Sequence, residues 1–483
     1  MSQPVLDPAL NRVPASCRRI HIMGICGTGM AALAGMLKAK GYRITGSDEN
    51  VYPPMSDFLA DQDIEVMAGY DPANLDVGPD LVVVGNVIRA INPEAIALAE
   101  KKIPYVSMPQ ALGHFFLTDH RSLVVAGTHG KTTTSSLLAT ALNRAGASPS
   151  FMIGGIVEVF GRNFRIGEGE FFVVEGDEYD TAFFNKVSKF LHYQPDCAIL
   201  TSIEFDHADI FPDLAAIKAS FAEFVALIPA HGALVACMDD PVVAEIATKA
   251  DCPVLSYGSS DACRYRLHDL KVSGLQSTFC VDKDGRELGR FTLPLPGLHN
   301  GLNATAVIAL MDHLGFSVEA IARGLAGFEG VKRRQQVRGE AGGITVIDDF
   351  AHHPTAVRET LRALRLAWPN RRLVTVFEPR TNSSRRSIFQ QQYGLAFDAG
   401  DVTVVREHVP LTDVAAEDQF SSAQLVEDLQ ARGLEAHYFP DTDSILDFLV
   451  DKCLPGDIVA VLSNGGFDNI HERLLSRLVA RDR

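Results

Sequence analysis

At 483 residues the chain is too long for one hydrophobic core, so several domains are expected. Its formal net charge of -16 comes without a basic stripe, which excludes a nucleic-acid partner. Apolar residues make up 47% and charged residues 22%, no apolar run approaches the ~18 residues of a membrane span, and no secretory core opens the chain, so we expect no membrane partner and a cytoplasmic location. Eight cysteines lie scattered with no C-x-x-C pair, the pattern of reduced, mostly buried thiols.

The first predicted strand, Arg19 to Met23, runs into Gly24-Ile25-Cys26-Gly27-Thr28-Gly29-Met30 and then into apolar residues at helical spacing. A second strand, Tyr42 to Thr45, ends near Asp48, where a Rossmann unit places an acid for a ribose. The glycines fall as G-x-x-G-x-G, which favours another nucleoside diphosphate over a dinucleotide, with Gly24, Gly27, Gly29, Met30 and Asp48 as candidate contacts. The buried run Asp80 to Gly85 closes on Asn86, a further candidate, and Ile103 to Val106 reads as another strand. Residues 1–118 then form one α/β domain.

A second domain, 119–335, opens with Leu123-Val124-Val125-Ala126-Gly127-Thr128-His129-Gly130-Lys131-Thr132-Thr133-Thr134, a strand, a phosphate loop and a helix start. Amides at Gly127, Thr128, His129, Gly130 and Thr133 would cradle phosphates, Lys131 would reach the terminal ones, and Thr132 would hold Mg²⁺. Val125 stands where the usual motif has its first glycine, so the loop is a shortened variant. Gly154-Gly155 and Gly161-Arg162-Asn163 read as a loop with anion-binding potential. The buried strand Phe171 to Val174 delivers Glu175, Asp177 and Glu178 at its carboxyl end, the expected place for a metal in an open α/β sheet.

The next strand, Ala198 to Ile203, ends in Glu204-Phe205-Asp206-His207, where His207 is a candidate ligand for a second metal. Arg264 to Leu293 alternates as short antiparallel strands turning at Lys283-Asp284-Gly285. Pro296 to Asn303 precedes a helix expected over Ala304 to Leu314, and amides such as Asn300 suit a base or ribose. Lys332-Arg333-Arg334 is the most basic spot, at a domain boundary that would deliver a cation onto a nucleotide.

The third domain, 336–483, carries strands at Ile344 to Ile347, Leu373 to Phe377, Asp401 to Val405 and Asp457 to Leu462, separated by helical stretches, hence a mainly parallel sheet. Their ends carry Asp348 to Pro354, Glu378 to Asn382, and Ser463 to Gly466.

Three α/β domains with G-T-H-G-K-T-T, together with Thr201 to Asp209, Gly297 to Asn303, Arg333-Arg334 and Asp348 to Pro354 in order, resemble the Mur ligases of peptidoglycan assembly. Val51 to Met55, Asp177 to Phe184, Glu204 to Phe211 and Ser463 to Phe467 resemble the branch that attaches a preformed murein tripeptide during recycling. The resemblance implies Rossmann-like outer domains around an ATPase-type centre. It implies an ATP-dependent ligase joining L-alanyl-γ-D-glutamyl-meso-diaminopimelate to UDP-N-acetylmuramate through an acyl phosphate.

It further implies two Mg²⁺ ions, held by Thr132 and Glu175 and by His207, with Lys218 as a carbamylated ligand of the second. Asn300 would contact the adenine side, Arg334 the γ-phosphate and Asp348 the ribose or hinge, with His352 near the amine. Arg162 and Tyr179 are expected substrate contacts, and Arg380, Asn382 and Asn464, at strand ends of the third domain, suit the carboxylates and distal polar groups of a peptide. Ligases of the family that add free L-alanine share a Pro-His-Arg-aromatic stretch. Here Pro379-Arg380-Thr381-Asn382 replaces it, which suits a longer acceptor. The same reaction with L-alanine, and a non-ligating nucleotide-binding protein, are the competing expectations.

Overall fold

The computed structural model describes residues 5–53, 55–412 and 414–481. Pro54, within the Val51 to Met55 motif, lies outside them. The chain is a mixed α/β protein whose tertiary contacts group it into two compact units. One holds the chain through Ile156, Phe160–Ile203 and Ile217–Ser256, and the other holds Val157–Val159, Glu204–Ala216 and Tyr257 onward.

In the first unit, β1 (Arg19–Met23), β2 (Arg43–Asp48), β3 (Glu65–Ala68), β4 (Leu81–Val84) and β5 (Tyr105–Ser107) pair in parallel in the order β3-β2-β1-β4-β5. This is the doubly wound order, with its switch point between β1 and β4 and a crevice at the strands' carboxyl ends. The glycine turn follows β1 there. Beneath the sheet His21 and Glu94, both fully buried, meet at 2.6 Å, and Thr45 lies 2.9 Å from the other imidazole nitrogen.

β6 (Arg121–Ala126), β7 (Ser150–Val157), β8 (Arg162–Arg165), β9 (Phe171–Gly176), β12 (Cys197–Leu200) and β13 (Ala233–Cys237) run in the order β13-β12-β6-β9-β7-β8. Pairings of β12 with β13 and β6, and of β9 with β6 and β7, are parallel. The short hairpin β10 (Asp180–Ala182) and β11 (Asn185–Ser188) places Ala182 in the apolar core of the first sheet, with Phe183 and Phe184 against it. Gly154, Gly155 and Arg162, read from sequence as loop, lie on β7 and β8. A Cβ at Gly154 would stand 3.0 Å from a Glu175 carboxylate oxygen, so glycine there makes room for an acid on the neighbouring strand.

In the second unit, Tyr257 and Gly258, the last two residues of β14 (Val254–Gly258), pair with β15 (Tyr265–Ser273), which continues into antiparallel β16 (Gln276–Lys283) and β17 (Arg286–Leu293). Asp284 and Gly285 form the connecting turn with φ of 51° and 75°, the left-handed pair a tight hairpin needs. The following helix spans Leu298–His313, starting earlier than the sequence suggests. Its N-cap is Gly297, which supplies no side-chain cap, so the usual Ser, Thr or Asp signal is missing and Asn300 falls inside the first turn.

The last sheet comprises β18 (Gln336–Ala341), β19 (Ile344–Asp349), β20 (Leu373–Phe377), β21 (Val402–Arg406), β22 (Glu435–Phe439) and β23 (Ile458–Leu462) in the order β18-β19-β23-β20-β21-β22. Only the β18–β19 pairing among the described residues of this sheet is antiparallel. Alternate residues of β23 feed two cores, Ile458, Ala460 and Leu462 on one face and Val459 and Val461 on the other. That two-sided burial explains the unbroken apolar run.

Candidate active site

The turn after β1 is fastened by its own neighbours. Gly24 (φ 79°) and Ile25 donate to the Ser47 carbonyl at 2.8 and 3.1 Å, and Cys26 N donates to an Asp48 carboxylate oxygen at 2.9 Å. The other Asp48 oxygen accepts from Asn50 N at 3.0 Å. Asp48, expected to hold a ribose, thus shapes the loop. Gly27 leads into the helix Thr28–Ala39, whose first-turn amides at Thr28, Gly29 and Met30 face the end where an anion is favoured. Asn86 is exposed just past β4.

The loop after β6 is built differently. Gly127 (φ 132°) and Gly130 (φ 82°) give it its shape, and Thr201 and Ser202, just past β12, pin it. Thr128 N donates to Ser202 O at 2.8 Å, His129 N to Ser202 Oγ at 3.0 Å, and Thr201 Oγ1 to His129 O at 2.6 Å. A Cβ at Gly127 would fall 2.2 Å from Thr201 Oγ1, which is why that position is glycine. The helix Lys131–Arg144 starts immediately, so Lys131, Thr132 and Thr133 sit at its positive end.

Lys131 folds back on the loop, its Nζ donating to Gly127 O at 2.6 Å and Thr128 O at 3.2 Å and lying 2.8 Å from a Glu178 oxygen. Burial alone would lower the lysine's pKa; the carboxylates of Glu178, Asp177 and Glu175 outweigh it, and the ammonium is held above its usual value. Thr132 Oγ1 donates to Glu175 at 2.9 Å, and the other Glu175 oxygen accepts from Gly154 N at 2.7 Å. A hydroxyl and a carboxylate side by side at a helix start supply the hard oxygen ligands Mg²⁺ prefers.

Asp177 belongs to Lys189, 2.6 Å away, and accepts from Tyr179 N at 3.1 Å. Burial raises its pKa, but Lys189 and Lys131 more than offset this and hold the carboxyl well below the usual range. Tyr179 is half-buried with its ring 5.7 Å from Lys189 Nζ, and Arg162 is exposed on β8. Lys218, proposed as a carbamylated ligand, donates its amine to Glu245. A carbamate at that place would set a second negative charge against that carboxylate.

In the second unit a buried carboxylate gathers histidines. Asp206 is 6% exposed and accepts from His207 N at 2.7 Å. Burial pushes its carboxyl up, but the charges of His207, His352 and His353 prevail and place it well below the usual range. His207 is itself in the left-handed region at φ 53°, a strained setting for a non-glycine residue. His353 caps the helix Pro354–Ala367 and lies 3.5 Å from Glu204, while His352 Nδ1 sits 3.0 Å from the Phe350 carbonyl.

Asn300, 4% exposed, donates to Pro296 O at 2.8 Å and to Gln335 Oε1 at 3.2 Å. Arg334 lies over the Phe350 ring at 4.7 Å. Asp348, expected at a ribose or hinge, is 2% exposed and lies 3.4 Å from Arg333 and 3.2 Å from Arg338. Arg333 also donates to the carbonyls of Ser463 and Gly465, so the pair ties the basic segment to the loop after β23.

Past β20, Asn382 donates to Asp209 at 3.0 Å and accepts from Arg385 at 3.2 Å, and Arg380 is half exposed beside Gly465. Asn464 presents a buried Oδ1 with no hydrogen-bond partner in the structure. Sequence reading passed over Gln335 and Asp349. Asp349 accepts from Gln335 N and Ala351 N, each at 2.8 Å, and the acidic doublet at the end of β19 was the available signal.

Comparison with known proteins places these sites in context. Residues 19–120 match the profile described as Mur ligase family, catalytic domain, residues 125–311 the Mur ligase middle domain, and residues 333–465 the Mur ligase, glutamate ligase domain. The chain is 40% identical over 468 residues to the UDP-N-acetylmuramate--L-alanyl-gamma-D-glutamyl-meso-2,6-diaminoheptandioate ligase of Escherichia coli (strain K12), covering 96% of this chain and 99% of that protein. It is 35% identical over 463 residues to the UDP-N-acetylmuramate--L-alanine ligase of Geobacter sp. (strain M21), covering 96% and 98%. The crystal structure of a murein peptide ligase from Psychrobacter arcticus 273-4 superposes with a TM-score of 0.71 at 33% identity, covering 96% of this chain and 99% of that one. With three family models matched in order over residues 19–120, 125–311 and 333–465, and 40% identity to the Escherichia coli ligase over 96% of its length, the chain belongs to the Mur ligase family.

Proposed function

We propose that the protein is an ATP-dependent ligase that joins L-alanyl-γ-D-glutamyl-meso-diaminopimelate to the lactyl carboxylate of UDP-N-acetylmuramate, serving peptidoglycan recycling in the cytoplasm. The observation that carries this reading is identity of 40%, almost end to end, with a ligase named for that tripeptide. Domain boundaries near residues 118 and 335 belong to the same reading. No helix among the described residues is long and apolar enough to cross a membrane, and the eight cysteines form no disulfide with one another.

A carboxylate resists an amine because its oxygen leaves poorly, so ATP converts it to an acyl phosphate, the alanine amine attacks, and phosphate departs. Negative charge gathers first on the transferring phosphoryl group and then on the tetrahedral oxygen, so catalysis is mostly positioning and placement of cations. Lys131 neutralises phosphate charge from the loop after β6, and Thr132 with Glu175 would hold Mg²⁺. His207, beside Asp206, is the proposed ligand of a second ion, which supplies electrostatic stabilisation when bound.

Asn300 with Gln335 takes the adenine side, and Arg334 the terminal phosphate. The turn Gly24–Gly29, Met30 and Asn86, shaped by Asp48, takes the UDP group, with Arg162 and Tyr179 on the muramate. His352 is assigned near the attacking amine. Arg380, Asn382 and Asn464 take the polar groups of the peptide beyond its alanine, since arginine's fork suits carboxylates. Binding energy from those remote groups orients the amine, so a shorter acceptor loses turnover as well as affinity.

The test is phosphate release with saturating ATP and UDP-N-acetylmuramate, comparing kcat/KM for the tripeptide and for L-alanine. We expect a clear preference for the tripeptide. Equal values, or a preference for alanine, would transfer the chain to the L-alanine ligases, the reading that 35% identity to the Geobacter protein supports.

A further inference from the structure

The three carboxylates that β9 delivers have separate partners. Glu175 accepts from Thr132 Oγ1 and Gly154 N, and Asp177 pairs with Lys189. Glu178, 2% exposed, meets Lys131, 13% exposed, with its two oxygens at 3.1 and 2.8 Å from Nζ. An ammonium has three N–H donors. Gly127 O, Thr128 O and Glu178 account for them, so the lysine is already saturated by its own loop and one buried anion.

A phosphate oxygen can bond to Nζ only by displacing one of these acceptors. The two carbonyls are neutral and move with the loop. Glu178 is charged, sits in a low-dielectric setting, and would share a single ammonium with an arriving oxyanion. The like charges then oppose each other strongly, because burial weakens screening.

We infer that Glu178 is a positioning residue that parks Lys131 against the loop in the nucleotide-free enzyme and competes with the nucleotide's terminal phosphates for it. The inference rests on the proposed placement of ATP at Gly127 to Thr132. It gives Glu178 a role separate from metal ligation by Glu175, and it makes a signed prediction. Removing the charge at 178 tightens nucleotide binding, whereas a residue that bound the metal or merely held the fold would weaken it on removal.

The experiment is calorimetric titration of the full-length protein with a non-hydrolysable ATP analogue and Mg²⁺, using wild type, Glu178→Gln, Lys131→Met and the double variant. Glu178→Gln is expected to lower Kd at least about fivefold, within the usual range of coupling between sites. In the Lys131→Met background the same substitution should leave Kd unchanged, since the competition needs the ammonium. Glu178→Asp, whose shorter side chain keeps the charge but loosens the contact, should fall between wild type and Glu178→Gln. It also serves if the glutamine variant melts early. An unchanged or raised Kd for a folded Glu178→Gln, or the same effect with and without Lys131, overturns the inference. Failure of the wild type to bind the analogue would instead remove the nucleotide from this loop and with it the proposed function.

Discussion

The first unit contains two strand–glycine turn–helix segments, after β1 and after β6, and they differ in what fastens them. The turn after β1 has its amides at Gly24, Ile25 and Cys26 engaged by Ser47 and Asp48, and no basic residue lies between Gly24 and Met30. The loop after β6 is pinned by neutral groups on Thr201 and Ser202 and carries a lysine facing three acids. A rigid backbone cradle with a helix N-terminus is enough to hold a diphosphate that does not react. Where charge changes during the reaction, a cation able to change partners is needed as well.

The sharpest way to break this comparison is Lys131→Ala, which removes the movable cation and leaves the cradle. We expect a loss of about 10²–10³ in kcat, or about 2.7–4 kcal/mol, with unchanged affinity for UDP-N-acetylmuramate. Phosphate release and a binding titration read the two halves separately, and near-normal turnover would reject the contrast.

Exchanging glycine for alanine in each loop comes next. Gly127→Ala meets Thr201 Oγ1 at 2.2 Å in a conformation an L residue rarely adopts, so KM for ATP should rise at least about tenfold. Gly24→Ala has only a Val87 methyl 3.3 Å away and a left-handed φ, a strain of about 1–2 kcal/mol, which should raise KM for UDP-N-acetylmuramate several-fold and spare ATP. Equal effects of both substitutions on both substrates would mean that the loops do not divide the ligands.

The acids at the second loop also predict a pH dependence. Asp177 has its folded pKa below the ordinary 3.8, burial being outweighed by Lys189 and Lys131. The unfolded chain therefore binds the proton more readily, so the stabilisation is complete above about 3.8 and is lost progressively as the pH falls from there through the lower folded value. The melting temperatures of wild type and Asp177→Asn should differ at pH 7, draw together as the pH falls below about 3.8, and meet only when it has fallen through the lower folded value. A gap that persists in acid would assign the effect to packing.

The smallest effect is expected at Lys218. Its ion pair with Glu245 is partly exposed, and such pairs contribute about 0–1 kcal/mol. Lys218→Ala should keep turnover within about threefold in a steady-state assay. Complete loss, restored by a short added carboxylic acid, would instead support the carbamate that the family resemblance implies at this position.

What could be read in advance followed from local chemistry. β1, β6, β9 and β20 announce themselves because buried parallel strands are short apolar runs ending in glycine or acid. The glycines, Lys131 and Thr132 follow β6 without a break, so the phosphate loop needed no tertiary information. β7 was hidden because Gly154 and Gly155 look like a loop until Glu175 is beside them. The helix at Leu298 was hidden because its cap is a glycine. Asp48 was read as a ribose contact and Asp348 as a ribose or hinge contact; their protein partners, Cys26 N and Arg338, lie outside their own strands, and no local pattern names them.

The sequence by itself determined most of the buried parallel strands, the phosphate loop after β6 and the residue types at those strand ends, because periodicity and glycine act over a few positions. Tertiary structure alone decided the partners. Lys131 meets Glu178 across 47 positions, His21 meets Glu94 across 73, and Asn382 meets Asp209 across 173. Parallel crossovers return β6 and β9 to the same edge of one sheet, so Lys131 and Glu178 become neighbours despite their separation in the chain. Which carboxylate then receives which cation depends on side-chain reach and on the water excluded around the pair, and neither quantity is carried by a local pattern.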